Sequence, residues 1–143
     1  MNIIFRPFCH HFIVFFFDDI LIYSRTLEDH LLHLEKAFQV LLAEQFVLKF
    51  LKCSFAQNQV EYLGHMVSLR GVEPVMTKVQ AIQQWSHPQS TRALHSFLGL
   101  PSFYHRLIRG YATIVAPLNK LMTTDPFEWT RKAHHAFNQL KDK

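Results

Sequence analysis

Asp18 and Asp19 stand side by side between two apolar runs, Phe12–Phe17 and Ile20–Tyr23. Adjacent carboxylates repel each other, and they are costly beside apolar strands unless something positive neutralises them. A divalent metal does so. Mg²⁺ takes carboxylate oxygens and keeps waters or substrate phosphates as its other ligands. Two such ions can activate an attacking hydroxyl and stabilise a leaving oxygen in phosphoryl transfer. The competing reading is an ordinary solvated turn, because Asp is a common turn residue. The acid pair alone does not separate the two.

The elements that must position these acids are legible around them. The flanking runs are rich in aromatic and β-branched residues, which favour strands. Only two residues separate them, so they read as a β-hairpin with Asp18-Asp19 at or near its tip. That turn lacks glycine, which predicts a strained backbone there. A helix follows. Thr26 can cap it, and Glu28 and Asp29 suit its first turn. Leu31, Leu34, Phe38, Leu41 and Leu42 recur at helical spacing, and the helix should end near Gln45. "FVLKF" and "VEYLGHMVS" read as strands, and Arg70-Gly71 as a bend. From Thr77 onward helices dominate. One covers Thr77–Trp85 before Pro88. A second is capped by Ser90 or Thr91, buries Leu94, Phe97 and Leu98, and is ended or kinked by Pro101. Pro117 can open a third through Leu121. Thr130 caps the last, which carries Ala133, Phe137 and Leu140.

Composition narrows the class. The 143 residues are 49% hydrophobic with 14 Phe and only 4 Gly, enough for a packed core and unlike a disordered chain. Charge is uneven. Residues 1–77 hold 6 Lys/Arg against 8 Asp/Glu, net −2, while residues 78–143 hold 9 against 3, net +6. A basic C-terminal half suggests a polyanion partner. Cys9 and Cys53 form no CxxC motif, which fits a reducing compartment. No apolar run approaches the roughly 20 residues needed to span a bilayer, so no membrane partner is expected. His30 and His33 lie one helical turn apart and His134-His135 are adjacent, but none of the ten histidines has the Cys/His spacing of structural zinc.

The segment "FRPFCHHFIVFFFDDILIYS" resembles the catalytic hairpin of reverse transcriptases from gypsy-like long-terminal-repeat retrotransposons. The resemblance continues in order. "EDHLLHLEKAFQVLL" is similar to the helix after that hairpin, and "LKCSFAQNQVEYLGHMVS" to the primer-grip region. "KVQAIQQW", "FLGLPSFYHRLI" and "APLNKLM" resemble the thumb. "FEWTRKAHHAFNQLK" resembles the start of the connection region. Departures are local: Val75-Met76 stand where the family often has Asp-Pro, Pro101-Ser102 where it has a small polar residue and glycine, and His105 where arginine is more usual.

This resemblance implies an α+β fold. Residues 1–72 would be the C-terminal part of a polymerase palm, 73–124 a helical thumb and 125–143 the beginning of a connection region. Asp18 and Asp19 would be the catalytic acid pair, holding Mg²⁺. Tyr62, Leu63 and Gly64 would lie in the primer-grip hairpin. Arg92, Gly99, Tyr104, Arg106 and Arg109 would track the nucleic acid, whereas Phe97 and Leu98 read as core. The implied reaction is RNA-directed DNA polymerisation on an RNA/DNA template-primer with deoxynucleoside triphosphates, within a longer polyprotein. The family's acid pair works with a further aspartate on an earlier palm strand and with fingers, neither of which these 143 residues supply, so the isolated chain is expected to be inactive. The rival readings are a non-catalytic nucleic-acid-binding remnant and a translated relic without function.

Overall fold

The computed structural model describes residues 4–143; the first three residues of the expected palm segment lie outside it. Two compact units are present: residues up to Leu63 with Val67–Gly71, and Gly64–Met66 with Val72–Lys143. The class is α+β, as expected, with every strand before residue 75 and only helices after it among the described residues.

In the first unit, β1 (Ile13–Phe16) and β2 (Asp19–Ile22) form the expected antiparallel hairpin, with Ile13 opposite Ile22 and Phe16 opposite Asp19. The alternation of a strand then sorts its side chains. Ile13, Phe15, Ile20 and Ile22 join a core built with Phe5, Phe12, Ala37 and Leu41. Val14, Phe16, Asp19 and Leu21 take the other face. Helix α1 (Leu27–Ala43) follows. The Thr26 hydroxyl accepts from the Asp29 amide at 3.1 Å and donates to the Asp29 carboxylate at 2.8 Å, closing its first turn. The helix stops at Glu44, where Gln45 enters the left-handed region.

The buried stripe of α1 differs from the leucine periodicity. Ala37 and Leu41 are buried, while Leu31 and Leu42 are 59% and 74% exposed. Small Ala37 lets the helix approach the hairpin, and the leucines on either side are turned away. "FVLKF" forms no strand. Residues 46–49 are irregular and Phe50–Lys52 is a short 3₁₀ turn. "VEYLGHMVS" is not one strand either but a hairpin. β3 (Gln59–Tyr62) and β4 (His65–Ser68) are joined by Leu63-Gly64, and β5 (Gly71–Pro74) completes a three-stranded sheet.

The second unit carries α2 (Met76–Gln83), α3 (Thr91–Phe103), α4 (Tyr111–Met122) and α5 (Arg131–Lys141). Ser90 and Thr130 cap α3 and α5 through the Ala93 and Ala133 amides. α2 starts one residue before the expected Thr77 and ends at Gln83, short of Trp85, without a side-chain cap. Pro101 lies inside α3 and does not end it, and Pro117 lies inside α4 and does not open it. Pro101 is fully buried, where packing offsets the backbone hydrogen bond it deletes, whereas Pro117 is half-buried. Leu94, Phe97, Leu98, Ile114, Leu118, Ala133, Phe137 and Leu140 anchor a single core shared by α2–α5. Among the described residues, no helix is long and apolar enough to cross a membrane.

Candidate functional site

The register of the first hairpin makes Phe17 and Asp18 its two-residue turn. Phe17 carries φ +49°, the left-handed strain expected of a turn without glycine. Asp18 sits in the turn and Asp19 opens β2, and both are exposed. The burial cost anticipated for two acids among apolar residues therefore does not arise here. The turn projects beyond the edge of the core, and the apolar side chains nearest it, Phe16 and Phe17, are themselves 53% and 79% exposed.

Tyr62, at the end of β3, reaches this hairpin. Its hydroxyl donates to the Asp19 backbone carbonyl at 3.3 Å. Burial, and then the Asp19 carboxylate, push the Tyr62 phenol above its ordinary value, so at neutral pH it stays protonated as a donor. Leu63 and Gly64 both have positive φ, +49° and +74°, as a two-residue type I′ hairpin turn requires. A Cβ on Gly64 would meet the Phe103 ring at 3.2 Å, so this turn is held closely as well as tightly bent.

The basic-half residues fall in different places. Arg92, Arg106 and Arg109 are exposed. Gly99 is exposed on α3, with nothing within 4 Å of an added Cβ, so the helix face there is open to close approach. Tyr104 departs from its expected place against a duplex. It is 3% exposed, and its hydroxyl donates to the Gly64 carbonyl at 2.7 Å. It positions the β3–β4 turn from inside the fold. Phe97 and Leu98 are core, as expected.

Some features were not singled out from the sequence. The His87 and His134 ring nitrogens are 3.1 Å apart beside Trp129, a pairing across 47 residues that no local pattern reveals. Ser24 Oγ lies 3.2 Å from His30 Nδ1 and 2.7 Å from His33 Nδ1, fastening the end of the acid hairpin to α1. Arg131 and Lys132 occupy the first turn of α5. That signal was available, since the N-terminal turn of a helix favours acids.

Comparison with known proteins is consistent with this geometry. The family model described as reverse transcriptase (RNA-dependent DNA polymerase) matches residues 1–67. An uncharacterized mitochondrial protein of Arabidopsis thaliana is 38% identical over 111 residues, covering 76% of this chain and 70% of that protein. The retrovirus-related Pol polyprotein from transposon 297 of Drosophila melanogaster is 32% identical over 143 residues, 99% of this chain. The chain thus resembles reverse transcriptases through residues 1–67. It spans 14% of the length of that transposon polyprotein and 10% of the Tf2-3 polyprotein of Schizosaccharomyces pombe. Among solved structures, the foamy viral protease-reverse transcriptase in complex with dsDNA matches with TM-score 0.78 at 26% identity, over 91% of this chain and 28% of that one. The same viral protein in complex with RNA/DNA hybrid matches with TM-score 0.82 at 24% identity, over 99% of this chain and 19% of that one. The α+β fold of this reverse transcriptase relative is thus a known one.

Proposed function

We propose that this chain is the part of a gypsy-like retrotransposon reverse transcriptase that carries the end of the palm, residues 1–72, the thumb, 73–124, and the opening of the connection region, 125–143. In this reading it acts on an RNA/DNA template-primer and deoxynucleoside triphosphates within a larger polyprotein. The observation that carries it is the acid pair, displayed on an exposed two-residue turn with a protonated Tyr62 against its backbone.

The donor set fits a hard divalent cation. Asp18 and Asp19 offer adjacent solvated carboxylate oxygens, the ligands Mg²⁺ takes while leaving room for phosphates. When bound, such ions supply charge neutralisation for phosphoryl transfer. The chain's own contribution is positional. The strained Phe17-Asp18 turn fixes where the two carboxylates point. Tyr62 ties β3 to β2, and the Leu63-Gly64 turn, as primer grip, presents backbone to the end of the primer. Arg92, Arg106 and Arg109 meet phosphates, and Gly99 lets a strand approach α3. Tyr104 serves this site indirectly, by holding the Gly64 carbonyl.

Among the described residues, no third His, Cys, Asp or Glu gathers with the acid pair. Two carboxylates alone position metal poorly for nucleotidyl transfer, so the 143-residue chain by itself should extend no primer. Two measurements test the reading. Mn²⁺ should broaden the amide resonances of Asp18 and Asp19, and Asp18→Asn with Asp19→Asn should abolish the effect. An RNA/DNA hybrid should bind with strong salt dependence. Broadening that is unchanged in the double variant, or a chain with no affinity for the hybrid, would sink it. Mg²⁺-dependent extension lost in Asp18→Asn would instead overturn the claim of inactivity.

A further inference from the structure

The acid hairpin holds a register that its own turn does not enforce. Each strand is four residues long, and an isolated two-stranded hairpin is marginal in water. Two-residue hairpin turns favour glycine and asparagine, whereas this one is Phe17-Asp18, with Phe17 at φ +49°. A slip of one residue would change the turn and send every side chain of the slipped strand to the opposite face. Something other than the turn must therefore fix which residues reach the tip.

The open end of the hairpin carries that restraint. There the Tyr23 amide donates to the Phe12 carbonyl at 3.0 Å, and α1 touches both arms. The His33 ring stacks on Phe12, just before β1, with centroids 4.0 Å apart and planes 4° from parallel. Its Nδ1 lies 2.7 Å from Ser24 Oγ, just after β2, and His30 Nδ1 lies 3.2 Å from the same oxygen. His33, Ala37 and Leu41 recur every four residues, so they share the face of α1 that packs on the hairpin. Leu27, Leu31 and Leu32 are more than half exposed, while this half-buried position holds a histidine. A leucine there would fix distance alone; a ring that stacks and also hydrogen-bonds fixes direction. The Ser24 hydroxyl has one proton, so it donates to one neutral ring and accepts from the N–H of the other. The two rings are then opposite tautomers.

We propose that His33 is a positioning residue for the acid pair, locking the β1–β2 register together with Ser24, His30 and Phe12 from about 17 Å along the strand. The proposal rests on the reading that Asp18 and Asp19 hold a divalent cation. His33 acts through the strands. With Phe12 and Ser24 clamped across the open end, Phe16 falls opposite Asp19, and Phe17-Asp18 become the turn. Loosening the clamp lets slipped registers compete, and in those the two carboxylates no longer leave the tip together. Metal affinity then falls with the fraction of chains in the competent register.

The test is nuclear magnetic resonance of the whole chain at about pH 8, above the ordinary imidazole value. In the wild type, imidazole nitrogen shifts should show His30 and His33 in opposite tautomers, a readout that needs no variant. Cross-strand contacts should join Ile13 to Ile22 and Phe15 to Ile20. Ser24→Ala and His33→Phe each remove the hydrogen bond and keep a ring on Phe12. Both should speed exchange of the Tyr23 amide roughly two- to tenfold, weaken Mn²⁺ broadening at Asp18 and Asp19, and bring in contacts of a shifted register. His33→Asn gives up the ring but keeps a donor and an acceptor for Ser24, so it should recover part of the Mn²⁺ effect, which a role in packing alone would not allow. Unmoved Ala37 and Leu41 amides verify that α1 still packs. Identical tautomers in the wild type, or variants with unchanged Tyr23 exchange and cross-strand contacts, overturn the clamp whatever the metal does. Undiminished Mn²⁺ broadening in variants of shifted register overturns the positioning role. Wild-type Asp18 and Asp19 amides that ignore Mn²⁺ overturn the reading of the pair as a cation site, and the cross-strand contacts still decide the register lock.

Discussion

At the scale of single residues, the chemistry of this chain is divided between side chains that face water and side chains that fasten the fold. Asp18 and Asp19 belong to the first group and Tyr104 to the second. His87 joins structure to pH. Its hydrogen bond with His134 survives only while at least one ring is neutral. Burial first, then His134 and Lys141, hold His87 below its ordinary value, and a backbone hydrogen bond at Pro88 opposes them. The folded chain therefore binds fewer protons here than the unfolded chain. The contribution of His87 is complete above the unfolded value, about 6.5, and is lost as pH falls below it. Thermal unfolding of the wild type and of His87→Gln, each followed by tryptophan fluorescence at about pH 7.5 and about pH 5, isolates this group. The wild type should lose more stability on acidification than the variant. Equal losses would remove His87 from the account. Nothing local in the sequence points to this pair, since its members meet only when α5 folds back on the segment after α2.

At the scale of elements, the strands and helices near the acids were legible, because two-residue separation and capping chemistry are local. Thr26, Ser90 and Thr130 each cap the helix expected of them. What escaped was set by contacts distant in sequence. The Leu63-Gly64 turn was implied by the resemblance to a primer-grip hairpin, but the residue pattern alone does not give it. A leucine followed by glycine inside an apolar run reads as strand continuation, yet both residues adopt positive φ. Phe103 and Tyr104, forty residues on, close around Gly64. Leu63 bears the left-handed conformation without the freedom of glycine or the local hydrogen bonding of asparagine, at a cost of about 1 kcal/mol. Leu63→Asn converts the turn to Asn-Gly, the preferred type I′ pair. It should stabilise the chain by roughly that amount, read as a higher urea midpoint with an unchanged denaturant slope. A midpoint that falls would mean that the contacts of the leucine side chain outweigh the relief of backbone strain.

At the scale of the whole chain, the two units differ in how they use their apolar residues. The first leaves Leu27, Leu31, Leu32, Leu42, Val47, Phe50 and Leu51 more than half exposed, a large surface for a monomer to show to water. The second gathers twelve buried residues from α2–α5 into one cluster, with Trp85 and Trp129 at its edge. Trp129 donates from Nε1 to the Pro88 carbonyl at 2.8 Å, and Lys141 donates from Nζ to the Trp85 carbonyl at 2.9 Å, so both ends of α5 are pinned to the segment after α2. The contacts that hold Gly64 also lie inside this unit. A cluster that needs no residue from the first unit should support folding on its own. Residues 64–143, produced alone, should keep helical circular dichroism, show near-ultraviolet signals from the two tryptophans and melt cooperatively. They should also stay monomeric at concentrations where the full chain associates through its exposed leucines. A fragment that binds a hydrophobic dye and unfolds without a transition would show that the core of α2–α5 depends on the acid-bearing unit for its packing. Cooperative melting would make the basic unit a module whose contacts with nucleic acid can be measured without the acid pair.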